Sequence, residues 1–319
     1  MAEPQPKTRQ ADFQRVALIG VGLIGGSLSL GLQNAGVVGD IIGFDRDEKA
    51  LSRAIELGLI DEAAPSLGDA VADASLIILA TPVGATAQML GDVGKAAPPE
   101  AIIIDVGSVK SSLVEAAASL GSGRYFVPCH PVSGTEQSGP DAAFATLFRD
   151  RWCIVTPVPD PSTEYQTAVE KVVALWRSVG ANVEIMDAAH HDLALAVTSH
   201  LPHLIAFTLV GAADDLESVA EADIIKYSAG GFRDFTRIAA SDPVMWRDVF
   251  LNNKDAILEV LGRFSEELAL LQRAIRWGDG PALEKTFARG RALRRAIVDA
   301  GQETPAPNFG RDQTKTPPD

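Results

Sequence analysis

Short apolar segments alternate with amphipathic ones from Arg15 to about Asp187. Several apolar segments are rich in β-branched residues and apolar almost throughout, as expected of parallel strands covered on both faces. The predicted strands are Arg15–Val21, Ile41–Asp45, Leu76–Thr81, Ala101–Gly107, Tyr125–Pro131, Trp152–Thr156 and Val183–Met186. The helices predicted between them are Gly25–Ala35, Asp47–Leu57, Val83–Val93, Ser111–Leu120 and Ser162–Val179. This alternation predicts an α/β fold with a doubly wound parallel sheet.

The pattern changes after Asp187, and no convincing strand follows up to about Gly301. The stretch Ala188–Ala213 is predicted to be helical, with a bend at Pro202. Apolar residues then recur at three- and four-residue steps on a predicted long helix, at Phe250, Ile257, Leu261, Phe264, Leu268, Leu271 and Ile275. Such a seam packs either in the core of its own domain or against a second subunit, and the pattern favours neither. The second half is therefore predicted to be all-helical.

Composition and charge restrict the classes of partner. The 319-residue chain has a formal net charge of −14, so no overall positive field attracts nucleic acid or an anionic membrane surface. Two cysteines, Cys129 and Cys153, are too few for a disulfide framework. Met1–Gln14 lacks the apolar core of a signal peptide, and the apolar run Leu204–Ala213 is about half of the ~20 residues that span a bilayer. We expect a cytoplasmic protein that binds neither nucleic acid nor membranes.

A glycine motif, Gly20-Val-Gly22-Leu-Ile-Gly25, follows the first strand and opens a helix. In such a motif Gly20 permits the tight turn, Gly22 lets a pyrophosphate approach the backbone, and Gly25 lets the helix pack close to the strand. The helix N-terminus offers free N–H groups and a positive dipole end to the phosphates. An anionic ligand can thus be held locally on an acidic protein, and the motif predicts a Rossmann-type dinucleotide site.

Asp45 ends the second predicted strand, twenty residues beyond Gly25. A carboxylate at this place accepts hydrogen bonds from the ribose hydroxyls of NAD and repels a 2′-phosphate. Arg46 beside it could accommodate NADP, so NAD is the preferred cofactor and NADP stays an alternative. The predicted cofactor contacts are Gly20, Gly22, Leu23, Ile24, Gly25, Asp45, Arg46, Thr81 and Pro82.

The chain therefore divides into four predicted regions. Residues 1–14 form a flexible N-terminus, and residues 15–187 form the dinucleotide-binding domain. Residues 188–302 form a helical domain for substrate binding and dimerisation, and residues 303–319, with four prolines among polar residues, form a disordered tail.

Two polar loops follow strands that should end at the cofactor edge of the sheet, where open α/β sheets bind ligands. The first is Asp105-Val-Gly-Ser-Val-Lys110, and the second runs from Cys129-His130 to Gly139. A histidine at a strand end, followed by small and hydroxyl residues, is well placed for proton transfer beside a nicotinamide. A lone histidine is more often structural, but this glycine-rich context favours a catalytic His130.

These segments resemble those of the prephenate/arogenate (cyclohexadienyl) dehydrogenase family. The run His130-Pro-Val-Ser-Gly-Thr-Glu136 matches its HPxxGTE segment, and Asp105–Lys110 matches a second one. Later segments look like the family's substrate-domain motifs, namely Ser199-His-Leu-Pro-His203, Gly230-Gly-Phe-Arg-Asp-Phe-Thr-Arg237 and Met245-Trp246-Arg247. The resemblance runs from about Arg15 to about Gly301, with the motifs in the family's order.

The resemblance implies oxidative decarboxylation of prephenate or arogenate to 4-hydroxyphenylpyruvate or tyrosine. Hydride passes from the hydroxyl-bearing ring carbon to NAD, and the ring carboxylate leaves as carbon dioxide. By similarity, His130 contacts the hydroxyl as its base, and Ser108 orients His130 and the cofactor–substrate pair. Neutral histidine suits this task because its ordinary pKa is about 6.5. The resemblance and the Phe250–Ile275 seam together favour a homodimer formed through the helical domain.

By the same similarity, Arg237 binds a substrate carboxylate, for which its planar fork is suited. His203 is a second substrate contact, and further pocket residues are Thr135, Glu136, Gly230 and Trp246. His200 lies three residues from His203 and is either a ligand contact or a packing residue. His190 and His191 are expected on the surface at a helix start. A zinc site among these histidines lacks supporting Cys or carboxylate spacing.

Two other functions stay open on the sequence. A β-hydroxyacid dehydrogenase or imine reductase shares the two-domain plan and commonly uses a lysine of the helical domain, for which Lys226 and Lys254 are the candidates. A nucleotide-sensing module without catalysis would explain Gly20–Asp45 but leave the His130 and Gly230–Arg237 motifs without a role. The preference between prephenate and arogenate is not decided by any single residue.

Overall fold

A six-stranded parallel sheet forms the centre of the N-terminal region. The computed structural model describes residues 11–121, 123–135, 137–220 and 225–299. The strands are β1 Phe13–Ile19, β2 Val38–Phe44, β3 Glu62–Ala63, β4 Leu76–Leu79, β5 Ile102–Asp105 and β6 Tyr125–Val127, in the order β3-β2-β1-β4-β5-β6. Every neighbouring pair is parallel. The predicted doubly wound sheet is confirmed, and its order reverses next to β1, where ligands bind in such sheets.

Helices cover both faces of this sheet. They are α1 Leu23–Ala35, α2 Glu48–Glu56, α3 Leu67–Val71, α4 Val83–Ala96, α5 Ser111–Ala116 and α6 Thr163–Ser178. Successive β1 residues alternate between two apolar cores, with Val16 and Leu18 in one and Ala17 and Ile19 in the other. This two-residue period is that of a strand buried on both faces, which is why β1 reads as an uninterrupted apolar run.

The predicted single strand Tyr125–Pro131 was wrong in its extent. The chain leaves the large sheet at Pro128, and Cys129–Pro131 (β7) joins a second sheet with β8 Trp152–Val155 and β9 Asn182–Ile185. β7 pairs antiparallel to β8, and β8 pairs parallel to β9. Pro128 has no N–H to give to a ladder, and the Cys129 N–H is donated to the Asp105 carboxylate instead. The break re-aims the strand that carries His130.

The structure also differs from the prediction in two short elements and in the start of β1. The two-residue strand β3 and the five-residue helix α3, capped by Ser66, were not predicted because neither is long enough to show a period. β1 begins at Phe13, within the predicted flexible segment 1–14, and Phe13 is buried. Residues 1–10 and the predicted tail 303–319 lie outside the described residues.

Among described residues, those after Asp187 form helices and no strand. The helices are α7 Ala188–Leu195, α8 Leu201–Ala220, α9 Gly230–Thr236, α10 Pro243–Asn252, α11 Lys254–Trp277 and α12 Gly280–Asp299. A π-helical turn, Ala196–His200, joins α7 to α8. The irregularity expected at Pro202 takes this form, because a proline in the first turn of α8 cannot donate to the preceding turn.

The apolar seam predicted on one long helix is divided between two. Phe250 belongs to α10, whereas the other seam residues lie on α11 after a break at Asn253. Near the start of α11, Ile257 is buried and helps to form a small core with Ala196 and Leu201. Farther along, Ile275 is 67% exposed. The first part of the seam is therefore intramolecular, whereas the last part, in which Leu268 is also 49% exposed, is left mainly uncovered within the described chain.

Candidate active site

The glycine loop lies at the carboxyl end of β1 and has the backbone geometry of a dinucleotide site. Gly20 has φ of +94°, and a Cβ there would lie 2.4 Å from the Ala80 carbonyl oxygen, so no other residue fits. Gly22 is the N-cap of α1, no described side chain caps this helix, and no described atom lies within 4 Å of the place of a Gly22 Cβ. The N-terminus of α1 thus faces open space with its N–H groups available to a phosphate.

Asp45 is joined to the glycine loop by a hydrogen bond. Its Oδ2 accepts from the Val21 N–H at 3.1 Å, and its Oδ1 accepts from the Asp47 N–H at 3.0 Å. The carboxylate is half-buried and keeps free lone pairs toward the loop. Arg46 is exposed beside it. Leu23 and Ile24 lie in the first turn of α1, and Thr81-Pro82 follow β4 at the same edge.

A buried ion pair connects the two polar loops. Lys110 Nζ contacts Asp105 Oδ2, and both side chains are fully buried. Lys110 Nζ also donates to the Cys129 carbonyl at 2.7 Å, while Asp105 accepts from the N–H groups of Gly107 and Cys129 at 2.7 and 3.1 Å. Both backbone polar groups of Cys129 are therefore held by this pair. The arrangement fixes the residue that immediately precedes His130.

His130 is the first member of a hydrogen-bonded chain that crosses between the two halves of the protein. Its Nδ1 lies 2.8 Å from Nε2 of His191, and Nδ1 of His191 lies 2.8 Å from Oδ1 of Asp192. Asp192 accepts further hydrogen bonds from the backbone N–H groups of Lys110 and Ser111, both at 2.8 Å. Asp192 thereby accepts hydrogen bonds from the N–H groups at the start of α5. The N-cap residue of this helix, Lys110, makes no capping hydrogen bond with its own side chain.

Burial sets the protonation of this chain. It lowers the pKa of His130 well below the ordinary 6.5, and the neighbouring His191, Lys110 and His200 lower it further. Burial also lowers the pKa of His191, although the hydrogen bond to Asp192 opposes this. For Asp192, burial raises the pKa, but hydrogen bonds from His191, Ser111 and Lys110 outweigh it and the net pKa is lowered. Near neutral pH the hydrogen-bonded chain of His130, His191 and Asp192 therefore contains two neutral imidazoles and one carboxylate.

A second histidine cluster lies next to this chain. Trp246 on α10 stacks on the ring of His203, with ring centroids 3.7 Å apart and an interplanar angle of 26°. Trp246 also makes a T-shaped contact with the ring of His200. His200 is fully buried, its pKa is lowered by burial to about 4, and its Nδ1 lies 3.1 Å from Nδ2 of Asn253. His203 is half-buried and bonds through Nδ1 to the Ser199 carbonyl at 2.8 Å. These contacts favour packing for His200 and leave Nε2 of His203 as the accessible nitrogen.

The other predicted substrate residues that the structure describes are Arg237, Ser108, Thr135 and Gly230. The Arg237 guanidinium is close enough to His203 to lower that imidazole's pKa, although burial is the larger cause. Ser108 is half-buried in the loop between β5 and α5, two residues before Lys110, and Thr135 is half-buried beyond β7. Gly230 is exposed at the start of α9. Glu136 lies outside the described residues.

The expectation that His191 lies on the surface was wrong. His191 is fully buried, whereas its neighbour His190 is exposed as expected. Successive helical residues point about 100° apart, so the packing of α7, which contacts α5 and α11, decides which of the two faces inward. Sequence reasoning also missed Asp192, Lys110 and Asn253 as buried polar residues. The sequence could have indicated them, because they are charged or amide side chains within otherwise apolar stretches. Such a side chain needs a hydrogen-bond partner when it is buried.

The described residues contain no group of three or more His, Cys, Asp or Glu side chains that could hold a metal ion. Lys226, an alternative catalytic lysine, is exposed and lies over the exposed ring of Tyr227. Lys254 is exposed at the start of α11. His130, by contrast, lies beside the cofactor edge of the sheet.

Comparisons with known proteins agree with this geometry. The family model described as prephenate dehydrogenase, nucleotide-binding domain, matches residues 28–185. The model described as prephenate dehydrogenase, dimerization domain, matches residues 187–289. A cyclohexadienyl dehydrogenase of Zymomonas mobilis is 39% identical over 285 residues, which cover 89% of this chain and 96% of that one. A prephenate dehydrogenase of Bacillus subtilis is 36% identical over 281 residues, 88% of this chain and 75% of that protein.

Solved structures show the same likeness. The prephenate dehydrogenase of Aquifex aeolicus, in complex with hydroxyphenyl propionate and NAD⁺, superposes with a TM-score of 0.82 at 34% identity and covers 89% of this chain and 98% of its own. The arogenate dehydrogenase of Synechocystis gives a TM-score of 0.72 at 28% identity, covering 89% of this chain and 99% of its own.

Proposed function

The chain belongs to the prephenate dehydrogenase family, and from this premise we propose that it catalyses NAD-dependent oxidative decarboxylation of prephenate, arogenate or both, in tyrosine biosynthesis. The observation that carries the proposal is the placement of buried, neutral His130 at the cofactor edge of the sheet. A neutral imidazole there can accept the proton of the ring hydroxyl while the adjoining carbon loses hydride. Residues 15–187 form the dinucleotide-binding domain, and residues 188–302 complete the substrate pocket.

The residues present fit NAD. The open face of Gly22 and the uncapped N-terminus of α1 suit a pyrophosphate, and the Asp45 carboxylate suits the ribose hydroxyls. When bound, the nicotinamide ring supplies the hydride acceptor. Leu23, Ile24, Gly25, Arg46, Thr81 and Pro82 complete the proposed cofactor contacts.

The chain's own residues supply the base and the cations. His130 takes the hydroxyl proton, Ser108 orients His130 and the substrate, and Arg237 pairs with a substrate carboxylate. His203 offers its Nε2 to the same substrate, on a wall formed by Trp246. Thr135 and Gly230 line the pocket or its entrance. Loss of the ring carboxylate as carbon dioxide makes the ring aromatic, which drives the reaction.

The stoichiometry of the products tests this reaction. With prephenate or arogenate as substrate, we expect one carbon dioxide for each reduced nicotinamide formed, measured by manometric or isotopic assay alongside absorbance. Reduction of NAD without release of carbon dioxide would instead indicate a simple alcohol oxidation, as in a β-hydroxyacid dehydrogenase.

Substitution of Asp45 tests the cofactor assignment. We expect Asp45→Ser to raise the KM for NAD about tenfold, because hydrogen bonds from ribose hydroxyls to a charged acceptor contribute about 1.5–3 kcal/mol. The KM for NADP should fall, because the 2′-phosphate is no longer repelled. Asp47→Ser is the matched control, since Asp47 caps α2 through a bond to the Lys49 N–H that serine can replace. An unchanged ratio of the two KM values would show that Asp45 does not select the cofactor.

The dependence of kcat/KM on pH tests the base. His130 must be neutral to accept a proton, so protonation of the free enzyme abolishes activity as the pH falls. Since burial lowers the His130 pKa well below 6.5, we expect kcat/KM to hold through pH 6.5 and to fall only below it. A midpoint at or above pH 6.5, in enzyme that remains folded, would contradict this placement of the base.

The helical region exposes a large apolar surface that a second subunit would cover. None of the twenty residues of α12 is buried, and Trp277, Phe287 and Leu293 are 73%, 61% and 57% exposed. The continuous helix Ala188–Leu216 is also long and apolar enough to cross a bilayer. It carries the buried polar chain of His191 and Asp192, however, and lies within the match to a dimerization domain. We therefore propose that a second copy of the chain, rather than a bilayer, covers these helices.

Charge placed in this surface should separate the subunits. We expect the double variant Ile275→Glu/Phe287→Glu to raise the dimer Kd at least about a hundredfold, because an uncompensated buried charge costs roughly 3 kcal/mol or more. Analytical ultracentrifugation measures the change. Ile55→Glu, at a 45% exposed site on α2, is the control and should leave the dimer intact. Wild-type protein that sediments as a monomer would refute the interface.

A further inference from the structure

We infer that His191 and Asp192 are positioning residues for the reaction, and that they fix which nitrogen of His130 acts as the base. The inference rests on the proposed function, because it assigns a role to groups that do not themselves contact substrate. It concerns a chain of three buried side chains in which two contacts measure 2.8 Å each. His130 is 7%, His191 0% and Asp192 4% exposed.

The positions of the hydrogen atoms in this hydrogen-bonded chain follow from Asp192, which is its acceptor end. Asp192 accepts two backbone N–H groups, from Lys110 and Ser111, so its carboxyl group is ionised and donates nothing. Nδ1 of His191 must then carry the proton of the His191–Asp192 bond. Because His191 is neutral, its Nε2 has a lone pair and accepts the proton on Nδ1 of His130. Nε2 of His130 is left unprotonated, and it is the nitrogen that receives the hydroxyl proton.

The same chain stabilises the product of that transfer. When the hydroxyl O–H bond breaks and an N–H bond forms at Nε2, His130 becomes an imidazolium whose Nδ1–H already points at an acceptor. The charged groups that face it are Lys110, which disfavours the cation, and Asp192, which acts on it through His191. Without the chain, neutral His130 could place its proton on Nε2, and that tautomer cannot accept the hydroxyl proton.

The hydrogen bonds from His130 to His191 and Asp192 also make the site depend on the contact between the dinucleotide-binding half and the helical half of the protein. His130 lies on β7, whereas His191 and Asp192 lie on α7. The two histidines are sixty-one residues apart in the sequence. Asp192 is held at both ends, since its carboxylate binds the start of α5 and its carbonyl accepts from Asn253 Nδ2 at 2.9 Å. Substitution of Asp192 would therefore disturb folding as well as chemistry, and His191 is the better residue to test.

Two variants of His191 separate orientation from packing. His191→Phe keeps the ring volume but removes both nitrogens, whereas His191→Gln keeps an acceptor near the place of Nε2. We expect His191→Phe to lower kcat about a hundredfold, in the range of losses caused by removing a group that orients a catalytic histidine or ligand. The KM for substrate and the Kd for NAD should change little. His191→Gln should recover about tenfold of that loss, and the exposed neighbour His190→Phe should retain wild-type kcat.

Nitrogen NMR of the histidine rings tests the tautomer in the free enzyme, without turnover. The chain has five histidines, and His130→Ala identifies the resonance of His130. We expect wild-type His130 to be protonated at Nδ1, and His191→Phe to shift it toward the Nε2–H form. Wild-type His130 protonated at Nε2, or wild-type kcat in folded His191→Phe, would overturn the inference. Wild-type enzyme that turns over neither substrate would instead refute the proposed function, while the tautomer measurement would still stand.

Discussion

Replacing His130 with alanine is expected to lower kcat about a thousandfold, with little change in the KM for substrate or the affinity for NAD. General base catalysis contributes roughly a hundred- to ten-thousandfold, and no other described imidazole occupies the strand end at the cofactor edge. We expect the loss to fall on kcat because the base acts on the hydroxyl only as the proton leaves, whereas the proposed substrate contacts Arg237 and His203 remain in the variant. Steady-state kinetics with saturating NAD measures both constants.

Three matched variants show whether this loss belongs to His130 alone. His190→Ala, at an exposed position of α7, should behave as wild type. Lys226→Ala and Lys254→Ala should also retain activity, since both lysines are exposed and neither belongs to β7 or its loop. If His130→Ala kept most of its kcat while one of the lysine variants lost it, the helical domain would supply the catalytic group, as in β-hydroxyacid dehydrogenases.

Replacing Asp105 with alanine is expected to lower the free energy of unfolding by about 3–5 kcal/mol, the cost of leaving one partner of a buried ion pair alone. Lys110 is fully buried and, of the hydrogen-bond partners that the structure describes for its ammonium group, would keep the Cys129 carbonyl. The backbone of Cys129 would also lose its acceptor, so folded protein should turn over substrate more slowly. Urea denaturation followed by circular dichroism measures the stability, with kcat determined on the folded fraction.

An exposed ion pair provides the control. Asp92 and Lys95 lie 2.8 Å apart with side chains 67% and 80% exposed, and Asp92→Ala should cost less than about 1 kcal/mol. The double variant Asp105→Leu/Lys110→Met should be more stable than Asp105→Ala, because it removes the stranded charge. Equal stabilities of Asp105→Ala and Asp92→Ala would show that the buried pair does not anchor these loops.

The fold was predictable where one local rule governs it. Buried parallel strands give uninterrupted apolar runs, and a turn that needs φ of +94° at Gly20 admits only glycine. The break at Pro128 was not predicted, because the apolar run continues through it on both sides. It depends on a tertiary contact, the bond from the Cys129 N–H to Asp105, that no local pattern records.

The candidate site divides in the same way. His130, Asp45 and the glycine motif stand in recognisable local contexts at strand ends. His191 stands next to His190 in a helix start rich in alanine, where both look like surface residues. Their difference arises when α7 packs on α5 and turns one ring toward β7, and that packing is set by the whole interface between the two halves.

Steady-state reduction of NAD, with prephenate and arogenate offered separately, tests the central claim most directly. We predict turnover of at least one substrate, and the ratio of the two kcat/KM values assigns the specificity. NADP measured in parallel should be the poorer cofactor because of Asp45. Folded dimer that binds NAD but reduces it with neither substrate would refute the proposed reaction and point to a different alcohol as the substrate.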